Sequence, residues 1–299
     1  MHEHSHFHQI KSENETKNIK IVFFLNLAFT IIEFIGGIFT NSVAIMSDAV
    51  HDFGDCFTLA SSWFLENYSR KKDDKKYTYG YRRYALIGAV INSVILFTGS
   101  IFIIIEAAKR IGDPQEVEGL GMVLIAITGV IINGMAALKL KSTKKITERT
   151  VMLHLLEDVL GWIAVLIASI CIWLFNVTFL DPILSLMIAA FILTNVYKNF
   201  KETAKIFLQA VPDGYDVLNM QMKMRKISGV LDVHDIHLWS LDGENNIISM
   251  HCVVDENLDR EKTDKIKLKL KRYLNHIKIN HATIEVEYEN KQREALGEI

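Results

Sequence analysis

The sequence predicts a six-helix membrane protein followed by a small αββαβ domain. Three observations lead there. Half of the 299 residues are hydrophobic, with a mean hydropathy of +0.19. Six apolar runs approach the ~20 residues a helix needs to cross a hydrocarbon core. After "VPDG", at residues 211–214, the character of the chain changes to that of a soluble α/β unit.

The apolar runs cover residues 19–39, 43–64, 85–108, 120–138, 151–175 and 183–197. Lysine and arginine concentrate in alternate connections, "SRKKDDKKYTYGYRR", "KLKSTKKITER" and "YKNFKETAK", and are absent from the intervening ones, residues 40–42, "GDPQEVEG" and "NVTFLDP". Basic loops stay on the cytoplasmic side, so six spans place both termini in the cytoplasm. The first run is long and lacks a small-residue cleavage site, so it is expected to remain a span of a multi-pass plasma (inner) membrane protein. The domains expected are a His-containing tail (1–18), a transport domain (19–210), a cytoplasmic domain (211–290) and a short tail (291–299). Within 211–290 the order is helix ("YDVLNMQMKMRKI"), strand ("VLDVHDIHLWSL"), turn ("DGEN"), strand ("NIISMHCVVD"), amphipathic helix ("REKTDKIKLKLKRYLNHI") and strand ("ATIEVEYE"). Asp242-Gly243 is a hairpin signal.

Cys56, Cys171 and Cys252 are far apart and form no CxxC pair, which excludes a disulfide framework and a cysteine zinc knuckle. No basic face with a recognised module marks a nucleic-acid-binding domain.

The chemistry lies in "MSDAVHDFGD", inside the second apolar run. Ionisable side chains at membrane depth cost roughly 2.5–3.5 kcal/mol each, so they require a partner or a function. At 100° per residue Asp48, His51, Asp52 and Asp55 fall within an arc of about 100°, one inward stripe. His51 and Asp55 are one turn apart, and "MLHLLEDVLGW" repeats the spacing with His154 and Asp158, Glu157 being rotated away. The second and fifth helices run in opposite directions, so each histidine faces the other helix's aspartate. Two imidazoles and two carboxylates suit tetrahedral Zn²⁺. Glu106 is expected to pair with Lys109 and Arg110 or to snorkel, Glu33 to hydrate an outer vestibule, Asp52 to be hydrated or paired, and Gly36-Gly37 to mark a close helix contact.

Along nearly its whole length the chain resembles the cation diffusion facilitators, in particular their zinc-transporting branch. The resemblance rests on "NSVAIMSDAVHDFGD", "YTYGYRR", "HLLED", "DPILS", "DVHDIHLWSL" and "HATIEVE". It implies that His51, Asp55, His154 and Asp158 are the transport ligands. It also implies that histidine-plus-aspartate pairing goes with zinc, where all-aspartate versions go with manganese. It further implies a homodimer, antiport against protons, and a ferredoxin-like cytoplasmic domain with regulatory metal sites. His234, His251 and Glu287 are then the best regulatory ligands for Zn²⁺, with His281 a weaker addition and ordinary sheet polarity the alternative. His237 alternates to the face opposite His234. Asp48, typical beside the motif, either orients His51 through its free ring nitrogen or sits hydrated in the cavity mouth. Some bacterial members carry aspartate and histidines in the loop after the second helix as a further metal site. Here Asp73 and Asp74 are followed by Tyr77 and Tyr81, so that site is not expected. His2, His4, His6 and His8 either collect metal loosely or form a solvated tail.

The function expected is export of Zn²⁺, with Cd²⁺ and Co²⁺ as further candidates, in exchange for protons by alternating access. Loading the site requires neutral imidazole and ionised carboxylate, so metal and protons exclude one another. A polytopic zinc-dependent membrane hydrolase would need an open metal position and a base, as in H-E-x-x-H, and no such motif lies in the apolar runs. A membrane metal sensor without transport is the remaining alternative.

Overall fold

The structure is a computed structural model that describes residues 13–69, 71, 73–140 and 146–289. The four N-terminal histidines and the tail from residue 290 on lie outside the described residues. Six long helices come first, α1 (Glu13–Thr40), α2 (Val43–Ser69), α3 (Tyr84–Gly112), α4 (Gly119–Leu140), α5 (Ile146–Phe175) and α6 (Leu180–Phe207). The C-terminal part follows as α7 (Val217–Arg225), β1 (Asp232–Ser240), β2 (Asn246–Val254), α8 (Arg260–His276) and β3 (Ile279–Tyr288). The described residues divide into two compact units, one from the start to Phe64 with Gly88–Asn199, the other from Leu65–Ile87 with the chain from Phe200 on.

Five of the long helices are apolar enough over 18 or more residues to cross a membrane. The sixth, α2, is 27 residues long but carries Asp48, Asp52 and Asp55, which dilute its hydropathy. It belongs to the bundle nonetheless. Its Ala44 and Ile45 are fully buried with Phe29 of α1, Met122 and Ala126 of α4, Trp162 of α5 and Leu184 of α6. The helices bury narrow stripes and expose residues such as Phe97, Phe102, Leu124 and Trp173, as lipid-facing surfaces require.

Small residues let helices approach, because packing rather than water exclusion joins them in lipid. A Cβ on Gly129 of α4 would stand 2.3 Å from Cδ2 of Trp162 on α5, and one on Gly36 of α1 would stand 2.3 Å from Cδ1 of Ile125 on α4. Gly129→Ala is therefore expected to destabilise the chain by about 1–3 kcal/mol, the usual range for overpacking. Gly134→Ala, where beyond its own helix backbone and chain neighbours no atom of the described residues lies within 4 Å of the added carbon, serves as the control. Thermal unfolding in detergent, followed by tryptophan fluorescence, should show a lowered Tm only for the first.

The turn between α1 and α2 positions the site. α1 ends with Asn41 at φ 52, a left-handed conformation that asparagine tolerates. The Ser42 N–H donates to Gly37 O (3.0 Å) and the Asn41 N–H to Ile38 O (3.2 Å), the paired bonds of a Schellman ending. Ser42 then caps α2, its Oγ accepting from the Ile45 N–H at 3.2 Å. Arg110 on α3 fixes the turn by donating to Asn41 O (2.6 Å) and Oδ1 (2.9 Å). It also pairs with Glu106 at 3.0 Å, and Lys109 reaches Glu106 at 4.0 Å, so Glu106 is paired.

The C-terminal part is a three-stranded sheet in the order β1-β2-β3, β1 antiparallel to β2 and β2 parallel to β3. The Asp242 carboxylate closes the β1–β2 hairpin, accepting from the backbone of Glu244 and Asn245 and from Asn245 Nδ2, with Gly243 at φ 98. Parallel strands need a crossover, which α8 supplies. Asp259 caps α8 by accepting from Lys262 N at 2.8 Å, and Thr263, Ile266, Leu270 and Leu274 form its buried stripe. Ile266, Leu270 and Leu274 pack with Val233, Leu238, Ile248, Met250 and Cys252 of the sheet and with Met220 and Met224 of α7. This is the αββαβ, ferredoxin-like arrangement.

Candidate metal centres

In the helical unit, His51 and Asp55 on α2 approach to 3.7 Å between Nε2 and Oδ2, with 17% and 23% of their side chains exposed. Asp158 stands on the inward stripe of α5, in step with the buried Leu155, Trp162, Val165, Ser169 and Ile172. The 3–4–3–4 spacing of that stripe turns Asp158 to the interior. Asp158 is near enough to interact electrostatically with Asp48 and Asp52 of α2 and with Glu33 of α1, and Asp48 with His51 and Asp55. His154 lies on α5 one turn before Asp158; its side chain is outside the described residues.

Glu33 differs from expectation. It is fully buried on the inward stripe of α1 with Phe29, Thr30 and Thr40, near Asp52, itself 2% exposed. It therefore does not face a hydrated outer vestibule. The spacing 29-30-33-37-40 in the sequence contained this signal.

In the C-terminal sheet, His234 of β1 and His251 of β2 are cross-strand partners, their ring centroids 5.3 Å apart. Glu287 of β3 lies 2.7 Å from His251 Nδ1 and 3.5 Å from His234 Nε2. One ligand atom from each of the three lies within 4.8 Å of the others. Tetrahedral Zn²⁺ places its ligands about 3.3 Å apart, so only small side-chain shifts separate this cluster from a metal site. His234 Nδ1 is buried without a hydrogen-bond partner among the described residues. The Glu287 carboxylate, with further help from Glu285 and Asp235, holds the His251 pKa above the ordinary histidine value.

Alternation fails at a β-bulge between His234 and His237. Asp235 there adopts φ 48, and bulges re-aim side chains. Its carboxylate comes to 3.5 Å from His251 Nε2 and 2.9 Å from His237 Nε2, so Asp235 and through it His237 border the cluster. His281 is not with them. It sits near the start of β3, its ring edge-on to Tyr79 at 5.7 Å.

The cation efflux transmembrane domain matches residues 19–208, and the domain described as "Cation efflux protein, cytoplasmic domain" matches residues 212–289. The chain belongs to the cation efflux family. Among its relatives in that family is the "Cadmium, cobalt and zinc/H(+)-K(+) antiporter" of Bacillus subtilis, 33% identical over 93% of this chain and 92% of the relative. The "Zinc transporter ZitB" of Yersinia pseudotuberculosis is 31% identical over 93% and 89%. The "Metal cation efflux system protein CzcD" of Cupriavidus metallidurans is 30% identical over 95% and 89%.

Two further features of this cation efflux protein bear on the site. Asp181, at the start of α6, is fully buried and holds the N-terminus of α2. It accepts from Ser42 Oγ (2.5 Å), Val43 N (2.9 Å) and Ala44 N (3.2 Å). With Ser42 it satisfies the orphan N–H groups that open the helix bearing His51 and Asp55. No local pattern marks this role, since the partners are 137–139 residues apart. Asp181→Ala leaves buried donors unmet, and each costs about 1–3 kcal/mol. A Tm drop larger than that of Gly129→Ala is expected in the same unfolding assay.

The loop after α2 ties Asp74 into a knot. Its carboxylate accepts from Tyr81 Oη (2.6 Å) and from the N–H groups of Tyr77 and Lys76 (2.7 and 2.8 Å). These bonds keep the Asp74 carboxyl below the usual range, and the Tyr81 hydroxyl is pushed up to about 12. Here Tyr81 gives Asp74 a protein donor as partner.

Proposed function

We propose that this membrane protein exports Zn²⁺ from the cytoplasm in exchange for protons, carrying it at a site formed by His51, Asp55, His154 and Asp158. The supporting observation is the gathering of Asp55 and Asp158 with Glu33, Asp48 and Asp52 at the centre of a helical bundle. So many carboxyl groups in one buried place are tolerable when metal ions or protons neutralise them. Asp48 lies close to His51 and orients it. Zn²⁺ loads from the cytoplasmic side, the helices rock outward, protons displace the metal, and the protonated site returns. Cd²⁺ and Co²⁺ fit the same donors, in accord with the name of the Bacillus subtilis relative.

Both termini lie in the cytoplasm, the inner membrane holds the six spans, and two copies pair through the C-terminal domains. In those domains His234, His251 and Glu287 bind a second, regulatory Zn²⁺, with Asp235 beside them. Occupancy of that site favours the transport-competent dimer, which requires higher metal affinity in that state.

The test is zinc accumulation in proteoliposomes with an imposed pH gradient. Accumulation faster than in gradient-free vesicles is expected, whereas zinc binding without gradient-driven accumulation would establish the sensor reading instead. A pH dependence follows for the cytoplasmic cluster. A raised His251 pKa means that its proton contributes stability below about pH 6.5, lost as pH rises through the raised value. Zinc must displace that proton. Zinc affinity of the C-terminal cluster, read by titration calorimetry on Asp158→Ala protein, is therefore expected to rise between about pH 6 and about pH 7.5.

A further inference from the structure

The loop after α2 and the C-terminal sheet enclose a cavity of about 430 Å³, lined among others by Lys76, Tyr77, Arg82, Arg83, Gln209 and Trp239, within the size range of small-ligand sites. Three of these residues are cationic. The Arg83 Nε is buried and has no hydrogen-bond partner among the described residues, a costly arrangement for a charged donor. Arg82 approaches a carboxylate only at 3.9 Å, from Asp242, whose oxygens already accept three hydrogen bonds in the hairpin turn. Asp74 is likewise committed to Tyr81 and to the loop backbone. The pocket thus presents forked donors and excess positive charge to an anion, and planar guanidinium groups match phosphate oxygens.

Its position selects the anion. Tyr84, another lining residue, is the first residue of membrane helix α3, and Gln209 lies two residues beyond the end of membrane helix α6. Apolar helices α3 and α6 thus lead to this cavity, and Trp239, Tyr77 and Tyr84 give it aromatic rings of the kind favoured at membrane interfaces. Basic pockets on the cytoplasmic side of membrane helices accept anionic headgroups.

We infer that this pocket binds the phosphate of an anionic phospholipid, with Arg83 and Arg82 as its donors and Lys76 at the rim. The bound headgroup would join the α2–α3 loop to the C-terminal sheet.

The test uses the full chain in mild detergent, titrated with phosphatidylglycerol or phosphatidylcholine and read by native mass spectrometry. Preferential retention of phosphatidylglycerol is expected. Arg83→Gln should weaken that retention roughly fivefold, the size expected for one basic group near a membrane surface, and Arg83→Lys should recover part of it. Lys269→Gln, exposed on α8, should leave it unchanged. Lys76→Gln, also exposed, gives the same test without disturbing a buried group should Arg83→Gln fail to fold. Equal retention of the two lipids by the unaltered protein would overturn the inference, as would retention insensitive to Arg83→Gln and Lys76→Gln. Displacement of phosphatidylglycerol by millimolar inorganic phosphate would overturn the lipid and identify a free phosphate site.

Discussion

Asp158→Ala is expected to lower gradient-driven zinc flux by more than about 100-fold, with the protein still inserted and folded. Losing a residue that merely supports a metal ligand costs about 10–100-fold in affinity or activity, and a direct ligand should cost more. Asp55→Ala should do the same, because the proposed site has only four donors and each helix supplies two. The two changes should not multiply when combined, since either alone already removes the tetrahedral set. Glu157→Ala is the control: Glu157 neighbours Asp158 in sequence but is exposed on α5, and flux should be unchanged. Flux in Asp158→Ala within about twofold of the unaltered protein would remove α5 from the site.

The second large effect belongs to the C-terminal sheet. His234→Ala with His251→Ala is expected to reduce zinc stoichiometry by one ion per chain, while leaving the membrane site able to bind. Glu287 alone cannot hold Zn²⁺ when both imidazoles are gone. Equilibrium dialysis on Asp158→Ala protein, which lacks the transport site, isolates this loss. Asp235→Asn should have a smaller effect, because Asp235 lies 3.5 Å from His251 and orients the ring more than it offers a fourth donor. If the double variant keeps its full zinc complement, the cluster is an ordinary hydrogen-bonded patch of the sheet.

Much of this architecture was legible because the relevant signals are local. Apolar runs and basic loops mark the helices, and the sequence order of the C-terminal elements matches α7-β1-β2-α8-β3. H-x-x-x-D spacing puts His51 and Asp55 side by side whatever the tertiary structure. What stayed hidden depends on contacts distant in sequence or on a single backbone dihedral. Asp181 caps a helix that begins 138 residues earlier, and nothing in "DPILS" names that partner. Asp235 joins the histidines because one residue turns left-handed and breaks the strand alternation, which had set His237 apart from them. The burial of Glu33 was readable in principle. Its 3–4 spacing with Phe29, Gly37 and Thr40 points inward, but proximity to the loop end suggested solvent.

The most direct test of the central claim, that metal and protons take turns at one site, is proton movement driven by zinc alone. Proteoliposomes holding a pH-sensitive dye, with no initial pH gradient, receive zinc on the side of the C-terminal domain. Protons are expected to move opposite to zinc, with neither ion moving in Asp158→Ala. Zinc entry without counter-movement of protons would contradict it.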